Sequence, residues 1–281
     1  MASVTCYHVR SNSLPSRPHP LASDIHEDLS RLRFSEAASA SSSTSHKLNG
    51  LQDLHDCVDE FLQLPLTQEA LSHQKNRKGV DESLDGSLRI LDLCSSAKDL
   101  VLKAKERTHE LQSILRRRRS GEAEIAAEVK KYLTSRKAAK KAINKTLAKL
   151  KTMEAEYTSS YPSDDNETKA IVGLLKQVNA VTLSVFESLL SLICGSQSKT
   201  KSWTLVSKMI SPKRIACKEK ERIINEFEKV DAAIKMRKIP KEMQSQLRDL
   251  ESCIQDLDEG LDGLSRHLIK TRVSLLNILN H

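Results

Sequence analysis

The residues best suited to nucleophilic chemistry in this sequence are consecutive: His55, Asp56 and Cys57. A Cys–His pair needs the imidazole beside the thiol, so that the ring can accept the thiol proton. Consecutive residues of a helix point in different directions, because helical side chains meet at spacings of three and four. The string is therefore better explained as part of an amphipathic helix with one buried cysteine than as a catalytic pair.

Motifs of the common enzyme classes do not occur in the chain. It has no glycine-rich phosphate loop, no dinucleotide-binding fingerprint, no zinc-protease motif and no nucleophile elbow. The six cysteines are scattered, with no C-x-x-C pair and no histidine at ligand spacing, which is typical of free thiols in a reducing compartment. We therefore expect a non-enzymatic protein without metal or cofactor. The expected location is cytoplasmic, with a membrane surface as the alternative and the nucleus and plastid left open.

Positive charge is concentrated in one stretch of the chain. The net charge is +8, and residues 98–151 hold 17 basic and 6 acidic side chains. Four consecutive arginines, Arg116–Arg119, stand where a helix should end, and a row of lysines follows at helical spacing. Two explanations stay open for both features: a patch that binds anions, or cations that stabilise a helix C-terminus and a solvated helix face. The candidate residues of this patch are Arg116, Arg117, Arg118, Arg119, Lys130, Lys137, Lys141, Lys145 and Lys149.

Nucleic acid is disfavoured as the partner of this basic stretch. Proteins that bind single strands combine positive charge with aromatic side chains on which bases stack. Here the only aromatic residue among the lysines is Tyr132, and it falls on the apolar stripe of its helix. An anionic membrane surface and other proteins therefore remain as the expected partners.

A short motif near the N-terminus points to a different kind of partner. Arg10, Ser13 and Pro15 form the sequence R-S-x-S-x-P, the pattern that 14-3-3 proteins bind once the second serine is phosphorylated. A phosphate on Ser13 would add about −1.5 to −2 charges and three acceptors for an arginine cluster on the partner. The competing explanation is a solubilising tail in which this order of residues arose by chance.

Composition predicts the fold class that carries these features. Aromatic residues make up only 3% of the chain, and it has eight glycines and seven prolines. A core of Leu, Ile, Val and Ala with few turn residues suits helices packed on helices. We expect an all-α, antiparallel helical bundle with long helical hairpins and a flexible N-terminal arm.

Two domains follow from the pattern of apolar residues. Residues 1–47 are predicted to form a flexible arm rich in Pro and Ser, with a short helix over Asp24–Phe34 capped by Ser23 and a linker over Ala37–Ser45. Residues 48–281 are predicted to form the bundle, beginning with one helix that stops before Pro65.

Two long helices should form an antiparallel hairpin in the middle of the chain. The first runs over about residues 81–118, with its stripe along Ile90, Cys94, Ala97, Val101, Ala104, Thr108, Leu111 and Leu115. The second begins near Glu122, and Arg136 and Thr146 occupy two of its stripe positions, where they should weaken the seam. The apolar run Ile171–Cys194 follows, and charged residues within it favour a bundle core over a membrane span.

The remaining segments complete the predicted bundle. Residues 203–210 should form an apolar clip containing Trp203, and a helix is expected over Ala216–Met236. A last long helix opens at Pro240, and Gly260 and Gly263 within it should permit close helix packing. Its apolar face is predicted to comprise Met243, Leu247, Leu250, Ile254, Leu257, Leu261, Leu264, Leu268, Leu275 and Ile278.

Several segments along the chain also match one known group of proteins. Together they resemble the BYPASS-like family, a plant-specific family of helical proteins without assigned biochemistry. The resemblance implies a loose link to root and shoot development and carries over no catalytic residue. The matching segments are Tyr7–Pro20, Gly50–Val58, Leu88–Cys94, Arg116–Arg119, Val129–Leu133 and Ile269–Leu279.

Two functions are consistent with these features. The first is a helical interaction or regulatory protein in plant development. The second is a peripheral membrane protein that binds anionic lipid through the basic hairpin.

Overall fold

Apolar side chains three and four residues apart fold the described segments into helices. The computed structural model describes residues 19–34, 40–72, 77–117, 121–157, 166–195, 224–236 and 240–280. These segments contain helices and no strand, which confirms the expected all-α bundle. The helices in chain order are α1 Pro20–Phe34, α2 Ala40–Leu62, α3 Pro65–Ser72, α4 Arg77–Arg116, α5 Glu122–Tyr157, α6 Asn166–Cys194, α7 Glu226–Lys235 and α8 Pro240–Asn280.

The two longest helices, α4 and α8, pack against each other in opposite directions. Gln112 Nε2 donates to the Leu247 carbonyl over 3.0 Å at one end, and Arg272 Nη1 donates to Ser87 Oγ over 2.8 Å at the other. All ten residues predicted for the apolar face of α8 are buried. On α4, the predicted stripe is buried except at Ala104 and Leu115, which are partly buried. The four-three periodicity therefore located both faces correctly.

Helix α2 runs parallel to α8 and approaches it closely. A Cβ atom at Gly260 would lie 3.0 Å from Leu48 Cδ1, and one at Gly263 would collide with the side-chain amide of Gln52. A larger residue at Gly260 would press on the Cβ and the branched end of Leu48, whereas one at Gly263 would displace only the flexible end of the Gln52 side chain. The expected role in close helix packing is confirmed for Gly260.

Helix α6 is the central helix of the bundle, packed against α1, α2, α3, α4, α5 and α7. It is the one described helix that is long and apolar enough to cross a membrane, judged on residues Thr168–Cys194 alone. In the fold, 67% of that apolar window is buried against protein. The segment is therefore a core helix of the bundle, as the charged residues within it predicted.

Helices α4 and α5 form the predicted antiparallel hairpin. Gly86 near the start of α4 lies against Tyr157 at the end of α5, and α5 packs chiefly on α4 and α6. Few residues of α5 are buried, and Ile143 and Leu150 are the aliphatic ones among them. Val129, Leu147, Met153 and Tyr157 are partly buried against the core. The exposed residues of α5 lie on the opposite side, away from α4 and α6.

The short N-terminal helix starts earlier than predicted. Helix α1 begins at Pro20, and the His19 Nδ1 atom accepts the Leu21 N–H over 3.2 Å. Ser23 is therefore inside the helix, and its predicted role as N-cap was wrong. Proline suits a first helical position because its ring fixes φ near the helical value and its missing N–H is not needed there.

Helix α2 also starts earlier, within the predicted linker. It begins at Ala40, so the linker predicted over Ala37–Ser45 was wrong from that residue onward. The side chain of Thr44 is buried, which continues the apolar face of Leu48 and Leu51 by one turn. Packing of that face outweighs the weak helix propensity of Ser and Thr.

The helix that precedes Pro240 begins later than predicted. Helix α7 begins at Glu226, where the Asn225 side chain accepts the Glu228 N–H over 2.9 Å, so a continuous helix from Ala216 was wrong. The clip around Trp203 lies outside the described residues.

Candidate functional site

Five lysines line the outer face of α5. Lys130, Lys137, Lys141, Lys145 and Lys149 are all exposed, and their spacings of seven and four keep them on one side of the helix. We call these five residues the lysine ridge. At 1.5 Å per residue, the ridge is about 28 Å long. The sequence predicted a basic row on the solvent side of the helix, and each of the five residues is exposed.

None of the five ridge lysines has an ion pair within the described residues. Other cations of the bundle do: Lys105 pairs with Asp258 at 2.8 Å, and Lys270 pairs with Asp59 at 3.1 Å. The sequence explains the difference, because residues 129–153 hold nine cations and no acid. The ridge is thus an uncompensated row of positive charge.

Only part of the arginine run is described. Arg116 is the last residue of α4, and its Nη2 donates to Gln112 Oε1 over 3.2 Å. Arg117 follows it and is exposed. Arg118 and Arg119 lie outside the described residues. Because α4 and α5 are antiparallel, Arg116 and Arg117 lie at the same end of the hairpin as Lys130.

One arginine of α5 is buried, and the sequence did not predict its partners. Arg136 makes two hydrogen bonds of 3.2 Å to the Asp231 carboxylate of α7, and its Nη1 donates to the Ile193 carbonyl over 2.7 Å. The guanidinium also lies 4.9 Å from the centre of the Phe227 ring. Lys140 adds a second cation to Asp231, at 2.9 Å.

This cluster joins three helices of the bundle through one side chain. A planar guanidinium suits the arrangement because it can bind a carboxylate through two parallel bonds and stack on a ring. Arg136 therefore occupies its stripe position as a buried and paired cation, and its expected weakening of the α5 seam stays a prediction. The one hint in the sequence was a cation at a stripe position, and nothing there identifies Asp231 as its partner.

The reactive side chains of α2 point to different partners. His55 is buried, and its Nε2 lies 3.2 Å from Thr182 Oγ1 on α6. Asp56 accepts a bond from His267 on α8 over 2.9 Å, and the Cys57 thiol lies 3.8 Å from Asp28 on α1. The structure therefore separates the three groups, as helical geometry predicted.

Burial determines the ionisation of His55 and of the buried thiols. It lowers the pKa of His55 to about 4, with a further lowering by the charge of His267 and an opposing effect of Asp56. Burial likewise raises the pKa of Cys94 to about 11 and that of Cys253 to about 12. Thiols with such values stay protonated at neutral pH and are weak nucleophiles.

Among the described residues, no group of three or more His, Cys, Asp or Glu side chains could hold a metal ion. The docking motif of Arg10, Ser13 and Pro15 lies outside the described residues.

Comparison with known proteins connects this chain to one family. A search of curated proteins and a search of solved structures each gave no match. A family model described as Protein BPS1 matches residues 47–278, which is most of the chain and nearly all of the bundle. The chain therefore belongs to the BPS1 family, the BYPASS-related family of plants.

Proposed function

We propose that this protein is a non-enzymatic interaction and regulatory protein in plant root and shoot development. Membership of the BPS1 family suggests a developmental role. The separation of His55, Asp56 and Cys57 and the raised pKa values of the buried thiols support a role in binding rather than catalysis.

The lysine ridge is the surface that we assign to binding. The observation that carries this assignment is the absence of ion pairs at all five lysines within the described residues. A charge that is already paired gains little from a new partner, whereas an unpaired row attracts any anionic surface within a Debye length of about 8 Å. Because α5 packs chiefly on α4 and α6, no other described helix stands between the ridge and a large partner.

The same ridge favours an anionic membrane as the partner. Lysine is depleted at protein–protein interfaces, where Arg and aromatic residues supply most of the binding energy. Lysines on flexible stems suit the diffuse charge of lipid headgroups, and each contributes about 1 kcal/mol near an anionic leaflet. Leu133 lies beside the ridge with 36% of its surface exposed. Its side chain can reach the boundary between the lipid headgroups and the acyl chains. Five lysines would then contribute about 5 kcal/mol to the free energy of binding, which is enough for reversible attachment.

Sedimentation with vesicles tests the membrane assignment. The full chain would be mixed with vesicles of phosphatidylcholine alone or with about one third phosphatidylserine, the anionic lipid of the cytoplasmic leaflet. We expect binding only to the anionic vesicles. A ridge variant, with Gln in place of all five lysines, should remain in the supernatant.

A second variant controls for net charge. Replacing five exposed cations on other faces by Gln lowers the net charge from +8 to +3, the same change as in the ridge variant. This scattered variant should still sediment; equal loss of binding in both variants would contradict a role for the ridge itself. The five control residues are Lys78, Lys169, Lys235, Arg248 and Arg266.

Purification from plant tissue tests the broader role as an interaction protein. The wild type and both variants would carry the same affinity tag, and co-purifying proteins would be quantified by mass spectrometry. Partners lost with the ridge variant and kept with the scattered variant support protein binding by the ridge. An identical set with all three chains would place protein binding elsewhere on the molecule.

A further inference from the structure

The outer face of α4 carries a row of carboxylates. Four acids recur at intervals of seven residues, which keeps them on one side of the helix, and all four are exposed. None of them has an ion pair within the described part of the chain. We call them the acid stripe: Asp85, Asp92, Asp99 and Glu106.

The acid stripe and the lysine ridge lie on the same face of the α4–α5 hairpin. Helix α6 packs against both α4 and α5. Asp99 is two and a half helical turns from the buried Ile90, and Lys141 is two and a half turns from the buried Tyr132, so each charge points away from the core side of its helix. The hairpin face turned away from α6 is therefore negative along α4 and positive along α5.

The acids and the lysines also match along the length of the hairpin. Gly86 of α4 lies against Tyr157 of α5, so levels can be counted from this contact in opposite directions along the two antiparallel helices. Three acids are then level with three lysines, yet no ion pair joins them within one chain. The matched pairs, each level to within about 3 Å, are Asp92 with Lys149, Asp99 with Lys145 and Glu106 with Lys137.

This face is complementary to itself under one two-fold rotation. An axis parallel to the helices, between α4 and α5, places α4 of one copy over α5 of a second copy and keeps each residue at its own level. The acid stripe of each copy then faces the lysine ridge of the other, in two equivalent places. An axis across the helices would place acids on acids and lysines on lysines, which is unfavourable.

The middle of the face allows two copies to approach. The groove between α4 and α5 opens to solvent beside Ala138 and Ala142, whose small exposed side chains do not hold a second surface away. Lys103 stands between Asp99 and Glu106 and offsets one of the four negative charges of the stripe.

The size of the matched area indicates a reversible contact. The acid stripe is about 30 Å long and two helices are about 20 Å wide, so each copy would bury about 600 Å². The total of about 1,200 Å² lies at the lower limit for specific complexes. A contact of this size that is held by exposed charges weakens when salt is added.

We propose that the protein forms a reversible, salt-sensitive dimer in which the acid stripe of each copy binds the lysine ridge of the other. The dimer covers the lysines that we assign to anionic lipid, so a chain cannot be dimeric and membrane-bound through the ridge at the same time. This second statement rests on the proposed function, whereas the dimer does not.

Sedimentation velocity of the full chain over a range of concentrations tests the dimer. We expect a shift from monomer to dimer at low ionic strength, and its reversal by added salt. The stripe variant carries Asp92→Asn, Asp99→Asn and Glu106→Gln. It loses three ion pairs in each of two places, so its dissociation constant should rise about tenfold.

A control variant removes the same charge from other helices. It carries Asp24→Asn, Asp249→Asn and Glu69→Gln, three exposed acids of α1, α8 and α3. This variant should dimerise as the wild type does. Circular dichroism would establish that every variant is folded.

Exchange of the charges provides the decisive comparison. One chain carries Asp92→Lys, Asp99→Lys and Glu106→Lys, and a second chain carries Lys137→Glu, Lys145→Glu and Lys149→Glu. Each should be monomeric alone, because like charges would meet in a dimer. An equal mixture should form a heterodimer, since opposite charges meet again in both places, although both chains keep a positive net charge.

Three results would overturn the dimer. They are a wild type that stays monomeric at low ionic strength, a stripe variant that dimerises as tightly as the control variant, and a mixture of the exchanged chains that forms no heterodimer.

Vesicle sedimentation separates this proposal from the membrane assignment. The fraction of wild type bound to anionic vesicles should fall at concentrations where the dimer forms, whereas that of the stripe variant should not. Equal fractions for the two chains would contradict mutual exclusion. Dimerisation without vesicle binding would contradict the membrane assignment alone, and vesicle binding by a strictly monomeric wild type would contradict the dimer alone.

Discussion

Arg136 of α5 and Asp231 of α7 form a bidentate ion pair in the interior of the bundle. Each of its two hydrogen bonds is 3.2 Å long, and both side chains are nearly withdrawn from solvent. The pair fixes a helix of ten residues to a helix of thirty-six. Charges placed this deep must be neutralised locally, so the position of α7 depends on this contact.

Removal of the Asp231 carboxylate should destabilise the protein strongly. Asp231→Ala leaves Arg136 buried without its counter-ion, and we expect a loss of about 3–5 kcal/mol in the free energy of unfolding. Lys140→Gln removes the more exposed partner of Asp231 and should cost less than about 1 kcal/mol. Urea unfolding of both variants measures the difference. Equal losses in the free energy of unfolding would contradict a larger contribution of the buried Arg136–Asp231 pair.

Truncation of one leucine tests the core that α8 supplies. Leu257 is completely buried, so Leu257→Ala should lower the free energy of unfolding by about 2–5 kcal/mol. Leu276 is 39% exposed on the same helix, and Leu276→Ala should change the stability by about 0.5 kcal/mol or less. Thermal and urea melts of the two variants provide the measurement. A small effect at Leu257 would contradict the assigned core.

Acid should destabilise the fold through His55. The unfolded chain binds a proton at His55 near the ordinary value of 6.5, whereas burial keeps the folded ring neutral until about pH 4. Stability is therefore lost as the pH falls from about 6.5 towards 4, up to about 3 kcal/mol. Replacing His55 by Gln removes this titration and should flatten the profile in that window. The exposed His46→Gln serves as control and should leave the profile unchanged.

The arginine run should contribute to the salt dependence of membrane binding. Replacing Arg116–Arg119 by Gln removes four cations, of which Arg116 and Arg117 lie at the Lys130 end of the ridge. We expect weaker binding to anionic vesicles and a shallower decline of affinity with added salt, because fewer charges are screened. Vesicle sedimentation across a salt series measures both quantities. Unaltered binding would assign the run to stabilisation of the C-terminus of α4.

We propose that the N-terminal motif docks on a 14-3-3 protein after phosphorylation of Ser13. A peptide of residues 6–20 with phosphate on Ser13 should bind a plant 14-3-3 protein with micromolar affinity. The unmodified peptide should not bind, since the partner recognises the phosphate through an arginine cluster. Fluorescence anisotropy compares the two, with a phosphopeptide carrying Pro15→Ala as a further control. Equal binding by both forms would exclude a phosphorylation switch.

Local periodicity was sufficient to predict most of the helices. The stripe on α8 and that on α4 needed only the spacing of apolar residues, and every position on the α8 face is buried. The start of α2 at Ala40 was missed because packing on the bundle, rather than the intrinsic preference of Ser and Thr, decides it. Propensity is a weak guide wherever tertiary contacts dominate.

The candidate sites were only partly predictable. The lysine ridge follows from the helical period, but its lack of ion pairs depends on which acids of other helices lie near it. Arg136 and Asp231 are separated by 95 residues, and no local pattern connects them.

The order of the helices has a consequence for biosynthesis. Helix α8 packs on α2 and along α4, yet it follows every other described helix in the chain. During translation, at about 5–20 residues per second, the apolar faces of α2 and α4 emerge before the helix that covers them. For several seconds a nascent chain therefore presents unsatisfied hydrophobic surface, which is the condition under which chaperones engage. Ribosome-bound chains that stop before residue 240 should be bound by chaperones more strongly than chains that include α8.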